Sequence, residues 1–231
     1  MPLDRRARLR RAVIDRALAE GTPLSLRHVA LTCAESISDS GVGVSMAGSF
    51  GLFELRYAND RATHLLADLE AVIGDAPGPT VLRERRPVLV PDLCAGDAHA
   101  RWPGFVERAA ELGIRSLFAF PIGQGGTLTG VLEINRTRPG ALSEPETEDA
   151  LLFAEVALVV AAPEAARKAR AGLREVTWSA LVYQAGGMVS VQLGIPVTEA
   201  LARLRAHAFA SGRTLTEVSG DVVNRRLRLH A

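Results

Sequence analysis

Hydrophobic residues recur along this chain with two different periods, and the change from one to the other divides the chain into two parts. Up to about residue 163, short runs in which apolar and polar residues alternate predict β-strands; the runs are GVGVSMA, GLFELRYAN, RPVLVPDL and IRSLFAFPIGQGGTLTGVLEINRT. Segments with a period near 3.6 predict helices at residues 1–20, 24–38, 60–73 and 104–113. Beyond residue 163 only the helical period remains. The pattern therefore predicts an α+β fold, an antiparallel sheet flanked by helices, followed by a small all-α unit of three helices.

Turn and capping signals set the boundaries. In SEPE, Ser143 can accept a hydrogen bond from an amide three residues on while Glu146 reaches back, and TLTE repeats this capping box with Thr214 and Glu217. The GDAPGP stretch predicts a turn, since glycine and proline interrupt helices. We expect a basic N-terminal helix over residues 1–25, an α+β domain over 26–163, a helical linker over 164–173 and a helical domain over 174–231.

Charge and composition exclude few classes of function. The chain has 231 residues, is 48% hydrophobic and carries a formal net charge of +1, so a polyanion site must come from local clustering of charge. The N-terminal stretch has arginines but lacks the apolar core of a signal peptide. The longest apolar run contains Glu155 and ends at Pro163, short of the roughly 20 residues of a membrane span. We expect a cytoplasmic protein without membrane contact.

Two adjacent glycines interrupt the first helix of the C-terminal part. Apolar positions that include Trp178, Val182 and Val189 predict a helix over residues 178–193, and Gly186 and Gly187 lie in its middle. Each glycine costs an exposed helix roughly 1 kcal/mol relative to alanine. A close approach by another backbone or helix would explain them.

The pattern of the C-terminal part resembles the ANTAR domain, a three-helix RNA-binding antitermination module of bacterial regulators. The resemblance rests on residues at fixed offsets, which are Gln184, Ala185, Gly187, Met188, Gly194, Ile195, Glu199, Ala200, Leu204, Arg205, Ala208, Leu215 and Val218. It implies that this domain binds structured RNA, namely stem-loops that overlap a terminator, so that the terminator does not form. No covalent chemistry is involved.

Three positions depart from the family pattern, which usually has lysine at Gly186, an aromatic residue at His207 and alanine at Ser219. On this comparison Gly187 provides the close approach, whereas Gly186 replaces a phosphate contact and only loosens the helix. A second hypothesis follows, in which the ANTAR-like unit no longer binds RNA and serves dimerisation or another protein–protein interaction.

The candidate RNA contacts are Gln184, Arg203, Arg205, His207 and Arg213. Arg205 matches the family arginine and is expected at a phosphate or a looped-out base, with a solvated arginine or an intradomain ion pair to Glu199 or Glu217 as the alternatives. His207 lies four residues after Arg203, on the same helical face, and its ring can stack on a base. Arg203 and Arg213 add positive field and Gln184 offers an amide to a base edge, although each is alternatively an ordinary surface residue. The terminal NRRLRLH either extends this basic surface or ends the helix in solvent.

Residues 26–163 resemble a GAF domain of the kind that precedes ANTAR in actinobacterial regulators. The stretches that carry this resemblance are GVGVSM, IGDAPGP, RPVLVPDL, RWPGF, FAFPI, GVLEINR and LSEPE. GAF folds are cups formed by an antiparallel sheet and its crossing loops, and many hold small molecules. The resemblance therefore implies a sensor or dimerisation domain with a small-molecule ligand.

Candidate chemistry in this domain is sparse. Trp102 and Phe105 either line a ligand pocket or belong to the core, and Arg101 either meets an anionic ligand or pairs with Asp92 or Asp97. Some GAF folds reduce free methionine sulfoxide through clustered cysteines, but Cys33 and Cys94 lie far apart in the sequence. Their spacing supports no disulfide framework and no zinc site. We expect no enzymatic activity, no metal and no cofactor.

Apolar positions on the helix from Ser143 exceed what one face of a small sheet needs. A homodimer is therefore expected, with the basic N-terminal helix packed beside this helix. Taken together, the sequence favours a cytoplasmic antitermination regulator in which a GAF sensor or dimerisation domain controls an RNA-binding ANTAR domain.

Overall fold

The computed structural model describes residues 2–47, 53–170 and 178–230. Up to residue 170 its elements are α1 (Pro2–Ala19), α2 (Leu26–Ser36), β1 (Gly41–Ala47), β2 (Phe53–Ala58), α3 (Arg61–Ile73), α4 (Pro77–Glu84), β3 (Val88–Val90), α5 (Gly96–Arg101), α6 (Pro103–Glu111), β4 (Ser116–Gln124), β5 (Thr127–Arg136) and α7 (Glu144–Arg170). After residue 177 they are α8 (Trp178–Leu193), α9 (Val197–Ser211) and α10 (Leu215–Val223). The predicted α+β fold class is confirmed. Residues 51–52 of the second predicted strand, 171–173 of the linker, 174–177 of the helical domain and the Trp178 side chain lie outside the described residues.

The strands form one antiparallel sheet in the order β2-β1-β5-β4-β3. The central strand β5 pairs with β1 and β4, and its Leu132 lies opposite Val44 and Phe120. Because side chains alternate between the faces of a strand, Leu132 and Ile134 point to one layer of helices while Val131 and Glu133 point to the other. Both faces of the sheet are covered, which gives three layers.

Helices α1, α2 and α7 cover the first face. Their buried residues Val13, Val29 and Phe153 pack with Phe118 and Phe120 of β4. Helix α1 is attached to α7 by ion pairs from Arg5 to Glu148 and Asp149, each 2.6 Å long, and from Arg6 to Glu155, also 2.6 Å. The predicted packing of the basic N-terminal helix beside α7 thus occurs within one chain.

Helices α3 to α6 cover the second face, and two of them were missed by the sequence pattern. The GDAPGP stretch was expected to be a turn, but its second half begins α4, with Ala76 as the N-terminal cap and Pro77 in the first turn. Proline is tolerated there because the first amides of a helix have no intrahelical acceptor. Helix α5 is only one and a half turns long, too short for its period to be recognised.

Helix α7 begins at the predicted capping box and continues through Pro163. The Ser143 amide donates to Glu146 Oε2 over 2.7 Å, and the Glu146 amide donates to Ser143 Oγ over 3.4 Å. Pro163 cannot donate to the Val159 carbonyl, but both residues are exposed, so water can satisfy that carbonyl. The part of the predicted linker up to residue 170 is therefore the end of a single long helix.

Helices α8, α9 and α10 form a separate three-helix unit. Its buried core comprises Val182, Ala185, Val189, Ala200, Leu201, Leu204, Ala208, Leu215, Val218, Val222 and Leu229. The predicted capping box of α10 is present, with the Glu217 amide donating to Thr214 Oγ1 over 3.2 Å. Ser219 is fully buried, and its Oγ has no hydrogen-bond partner among the described residues.

Gly186 and Gly187 exchange the roles that the sequence predicts. A Cβ placed on Gly186 would lie 2.9 Å from Leu201 Cδ2 and 3.2 Å from Leu201 Cγ, so α9 approaches α8 closely at this glycine. A Cβ placed on Gly187 would meet no described atom within 4 Å. The expectation that Gly186 only loosens the helix is wrong, because any larger side chain there would have to displace Leu201.

None of the helices in the described ranges is by itself long and apolar enough to cross a membrane. Within those ranges, one bent pair reaches that length and composition, formed by Ala180–Leu193 and Val197–Ser211 across a bend of 107°.

Substituting the two glycines singly distinguishes their roles. Gly187→Ala is expected to raise the free energy of unfolding by about 0.5–1 kcal/mol, since alanine favours the helix and meets open space. Gly186→Ala gains the same propensity but crowds Leu201, and overpacking of this kind costs about 1–3 kcal/mol; we expect a net loss of stability. Urea unfolding followed by circular dichroism measures both. Equal stabilisation by the two substitutions would contradict this account of α8.

Candidate functional site

The three-helix unit packs against α3 of the preceding domain, and Arg205 lies in this contact. Val72 of α3 joins the buried core of the unit. Arg205 is half-buried, and its Nε donates to the carbonyl of Ala71 over 3.2 Å. Burial lowers the pKa of the Arg205 guanidinium from its usual value. Arg205 is therefore neither a solvated arginine nor the partner of a glutamate, which are the two alternatives that the sequence offers.

The other candidates of this group are Arg203 and His207 of α9 and Arg213 of the loop between α9 and α10. Arg203 is exposed and pairs with Glu199 over 3.4 Å. It precedes Arg205 by two residues, which places the two guanidinium groups on different sides of α9. His207 is half-exposed and lies one turn beyond Arg203. Arg213 pairs with Asp221 over 2.6 Å. The structure does not bring these residues into one cationic face.

A groove on α8 contains the fifth candidate, Gln184. The groove has a volume of about 830 Å³ and is lined by Gln184, Gly187, Met188, Val191, Gln192, Val222, Arg225, Leu227 and Arg228. Arg225 and Arg228 are exposed and come from the terminal NRRLRLH stretch. The sequence raised that stretch as an extension of the basic surface but offered no reason to place it beside α8.

A smaller pocket of about 160 Å³ lies between the two parts of the chain. Its walls come from α3, α6 and the end of α9, and they include Asp68, Arg108, Phe209 and Arg213. The Arg108 guanidinium lies 5.5 Å from the centre of the Phe209 ring, which adds a cation–π contact to the interface. Burial raises the pKa of Asp68. The pocket has room for a molecule of only a few heavy atoms.

The sheet face that would form the interior of a ligand-holding cup is packed with side chains. Trp102 and Phe105 are 3% and 0% exposed, and Trp102 Nε1 donates to Thr80 Oγ1 over 3.2 Å, so both aromatic residues belong to the core. Arg101 does not pair with Asp92 or Asp97 as predicted. It pairs with Glu84 and lies 4.5 Å above the Trp102 ring, because α5 places it beside the end of α4.

Two carboxylic acids meet beneath α4, and the sequence pattern gave no sign of them. Glu70 of α3 and Glu133 of β5 are 6% and 4% exposed. The amide of Gly78 donates to Glu70 Oε1 over 3.0 Å, whereas Glu133 Oε1 has no hydrogen-bond partner among the described residues. Burial, with the neighbouring Glu133, raises the pKa of Glu70 well above its usual value, and burial raises the pKa of Glu133 to about 7. The pair therefore shares a proton at neutral pH.

A Cβ on Gly78 would lie 2.5 Å from Glu70 Oε2 and 2.7 Å from Glu133 Oε1. Only glycine at this position allows the first turn of α4 to close over both carboxyl groups. The shared proton thus stabilises contacts among α3, α4 and β5.

Residues 22–162 match the sequence profile of the GAF domain family. The chain belongs to the GAF family. Among solved structures, the GAF domain of a phosphoenolpyruvate-protein phosphotransferase from Acinetobacter is similar, with 15% identity and a TM-score of 0.51, over 71% of this chain and 94% of that one. The corresponding GAF domain from Coxiella burnetii has 16% identity and a TM-score of 0.49, over 71% of this chain and 96% of that one. No curated protein matches significantly.

The two cysteines lie in different places in the GAF domain. Cys33 is fully buried on α2, and burial raises the pKa of its thiol far above the usual range, which leaves it protonated. Cys94 is exposed in the loop after β3, where its amide donates to Asp92 Oδ1 over 3.0 Å. Within the described residues, no group of three or more histidine, cysteine, aspartate or glutamate side chains is arranged to hold a metal ion.

The shared proton of the GAF domain predicts a pH dependence of stability. Because the folded-state pKa of Glu133 is raised from 4.5 to about 7, its contribution is fully present below pH 4.5 and is lost as the pH rises through 7. Glu133→Gln removes this titration and is expected to raise stability at pH 8 by about 1–3 kcal/mol relative to wild type. Thermal melts between pH 5 and 8.5 measure the effect.

Glu107→Gln, at an exposed glutamate of α6, serves as the control and should follow the wild-type pH profile. Parallel pH profiles for wild type and Glu133→Gln would exclude a shared proton at this pair.

Proposed function

We propose that this GAF-family protein is a cytoplasmic transcription antitermination regulator. Its C-terminal unit, an ANTAR-like domain, binds stem-loop RNA near terminators, and the GAF domain acts as the sensor or dimerisation domain that controls it. The function requires binding only, without covalent chemistry.

The observation that carries the proposal is the way the ANTAR-like pattern is distributed over the three-helix unit. Six of the eight apolar positions of that pattern share a single buried core, namely Ala185, Ala200, Leu204, Ala208, Leu215 and Val218, and the other two, Met188 and Ile195, pack against it partly buried. The polar positions Gln184 and Arg205 remain at least partly exposed. Such a division is expected of a small domain that binds through its surface.

Control by the GAF domain is supported by the contact between α9 and α3. Arg205 Nε donates to the Ala71 carbonyl in this contact, so this donor is not available to a phosphate while the contact is formed. A signal that moves α3 would release Arg205 for RNA. The pocket between α3, α6 and α9 provides one place where a small ligand would change the contact.

A second candidate function, protein–protein interaction without RNA binding, is favoured by a specific observation. Arg203 and Arg213 are both neutralised by carboxylates of the unit itself, and Arg205 is bound to a carbonyl. Three of the five candidate RNA contacts are therefore engaged within the chain.

RNA selection separates the two candidates. A pool of tandem stem-loops with a fixed stem and randomised loops is passed over the full-length protein, and enriched sequences are titrated by fluorescence anisotropy at several salt concentrations. We expect enrichment and a log–log salt slope that grows by about 0.7–0.9 for each phosphate contacted. Enriched stem-loops placed over a terminator should increase read-through in transcription with purified polymerase. Flat titrations at low salt would favour the protein-interaction function instead.

The proposal includes a homodimer formed through α7. Leu151 and Val159 are 41% and 60% exposed on that helix and lie eight residues apart, close to one side of it. Apolar side chains exposed in this way are frequent at protein interfaces.

Val159→Glu is expected to convert a dimer to a monomer in sedimentation velocity while the far-ultraviolet circular dichroism spectrum stays unchanged, because the Val159 side chain is exposed within one chain. Leu89→Glu, at an exposed leucine of β3, is the control and should leave the mass unchanged. An unaltered dimer in the Val159→Glu protein would place the interface elsewhere.

A further inference from the structure

Residues 178–230 carry a larger net positive charge than the whole chain does. They include six arginines and three carboxylates, a formal charge of +3 with histidines neutral, whereas the whole chain carries +1. All three carboxylates already have partners. Glu199 pairs with Arg203, Glu217 accepts from the amide of Thr214, and Asp221 holds both Arg213 and Arg226.

Three arginines of this range, Arg205, Arg225 and Arg228, pair with no described carboxylate; Arg205 donates to the Ala71 carbonyl, whereas Arg225 and Arg228 are exposed. Neither forms an ion pair with any residue that the structure describes, and both line the groove on α8. Arg226, which lies between them in the sequence, is not among the residues that line the groove and binds Asp221 over 2.8 Å. Two guanidinium groups without a described carboxylate partner therefore line the groove.

The segment that carries these arginines is fixed in place by its backbone. Arg225 adopts a left-handed conformation, with φ of 60°, which turns the chain at the end of α10. The amides of Arg226 and Leu227 both donate to the Asp221 carbonyl, over 2.7 and 3.1 Å. Beyond the turn, Gln192 of α8 donates to the carbonyl of Leu229, whose side chain is buried. The groove is therefore bounded by α8 on one side and by the end of α10 and the segment after it on the other.

The floor of the groove is apolar and accessible. Val191 is 86% exposed, and Met188, Val222 and Leu227 line the groove beside it. Gly187 contributes no side chain, so it leaves the floor open. Gln184 and Gln192 add amide groups at the edge.

An apolar floor beside two unpaired guanidinium groups fits one ligand chemistry well. Phosphates bind arginine through charge-assisted and often bidentate hydrogen bonds. Unstacked bases pack on flat or apolar side chains, and amides recognise their edges, whereas a paired stem hides the base faces. We infer that this groove binds unpaired nucleotides of an RNA loop, with Arg225 and Arg228 on the phosphates and Gln184 at a base edge. The inference rests on the proposed RNA-binding function and assigns the site for it.

Two double variants with the same change in charge test the assignment. Arg225→Gln/Arg228→Gln removes the two unpaired cations of the groove, and Arg138→Gln/Arg226→Gln removes two exposed cations that are already paired, with Asp39 and Asp221. Full-length proteins are titrated with stem-loops enriched by the wild type from the randomised-loop pool, and with the same stem as a blunt duplex. We expect the groove variant to bind at least tenfold more weakly, with the salt slope reduced by about 1.4 for two single-stranded phosphates. The control should change affinity less than threefold, and wild type should prefer the hairpin to the duplex.

Val191→Glu is a second variant, which we expect to fold normally because the Val191 side chain is exposed. It places a negative charge on the groove floor and should also abolish the preference for the hairpin. Equal affinities of the two double variants, or equal binding of hairpin and duplex by wild type, would overturn the groove assignment while leaving RNA binding intact. Failure of the wild type to enrich any hairpin would overturn both. Binding of an acidic peptide in the groove without RNA binding would assign it to a protein partner instead.

Discussion

Helix α3 is buried on two sides, and this double burial is the constraint on which the rest of the molecule depends. Its inner side places Leu66 and Glu70 against the sheet. Its outer side places Val72 in the core of the three-helix unit and presents the Ala71 carbonyl to Arg205. Because protein interiors are closely packed, a displacement of α3 on the sheet also alters the surface on which α9 rests. Helix α3 is thereby in contact with both the sheet of the GAF domain and the C-terminal unit.

The buried acids lie on the inner side of α3, where it faces the sheet. Glu70 and Glu133 join α3 to the central strand, and Gly78 allows α4 to close over them. Two carboxylates cannot both be charged in such a place without a large electrostatic cost, so one of them stays protonated where α3, α4 and β5 meet. This side of the sheet, where GAF folds form a cup, is filled here by Trp102, Phe105 and the acid pair. The pocket between α3, α6 and α9 is instead found on the outer side of α3.

Charge pairing organises the outer surface of the C-terminal unit. Its carboxylates neutralise or cap nearby groups, and the arginines that remain are divided between the α3 contact and the groove on α8. The sequence suggests RNA contacts through its resemblance to a family pattern and through helical spacing. Spacing reports which side chains share a face of one helix, but it does not report which face another domain covers. The sequence therefore predicts an RNA contact for Arg205, whereas in the structure its Nε donates to the carbonyl of Ala71.

The sequence alone determined the fold class, most of the helices and strands, and the capping boxes at Ser143 and Thr214, because periodicity and capping depend on residues close together in the chain. It missed α4, since a proline in a first turn has the same local signal as a proline in a loop. Only the tertiary structure decided that Gly186 rather than Gly187 accommodates α9, that Glu70 meets Glu133, and that the chain after α10 turns back along α8. Each of these is a contact between residues distant in sequence, and its energy depends on the packing of whole elements.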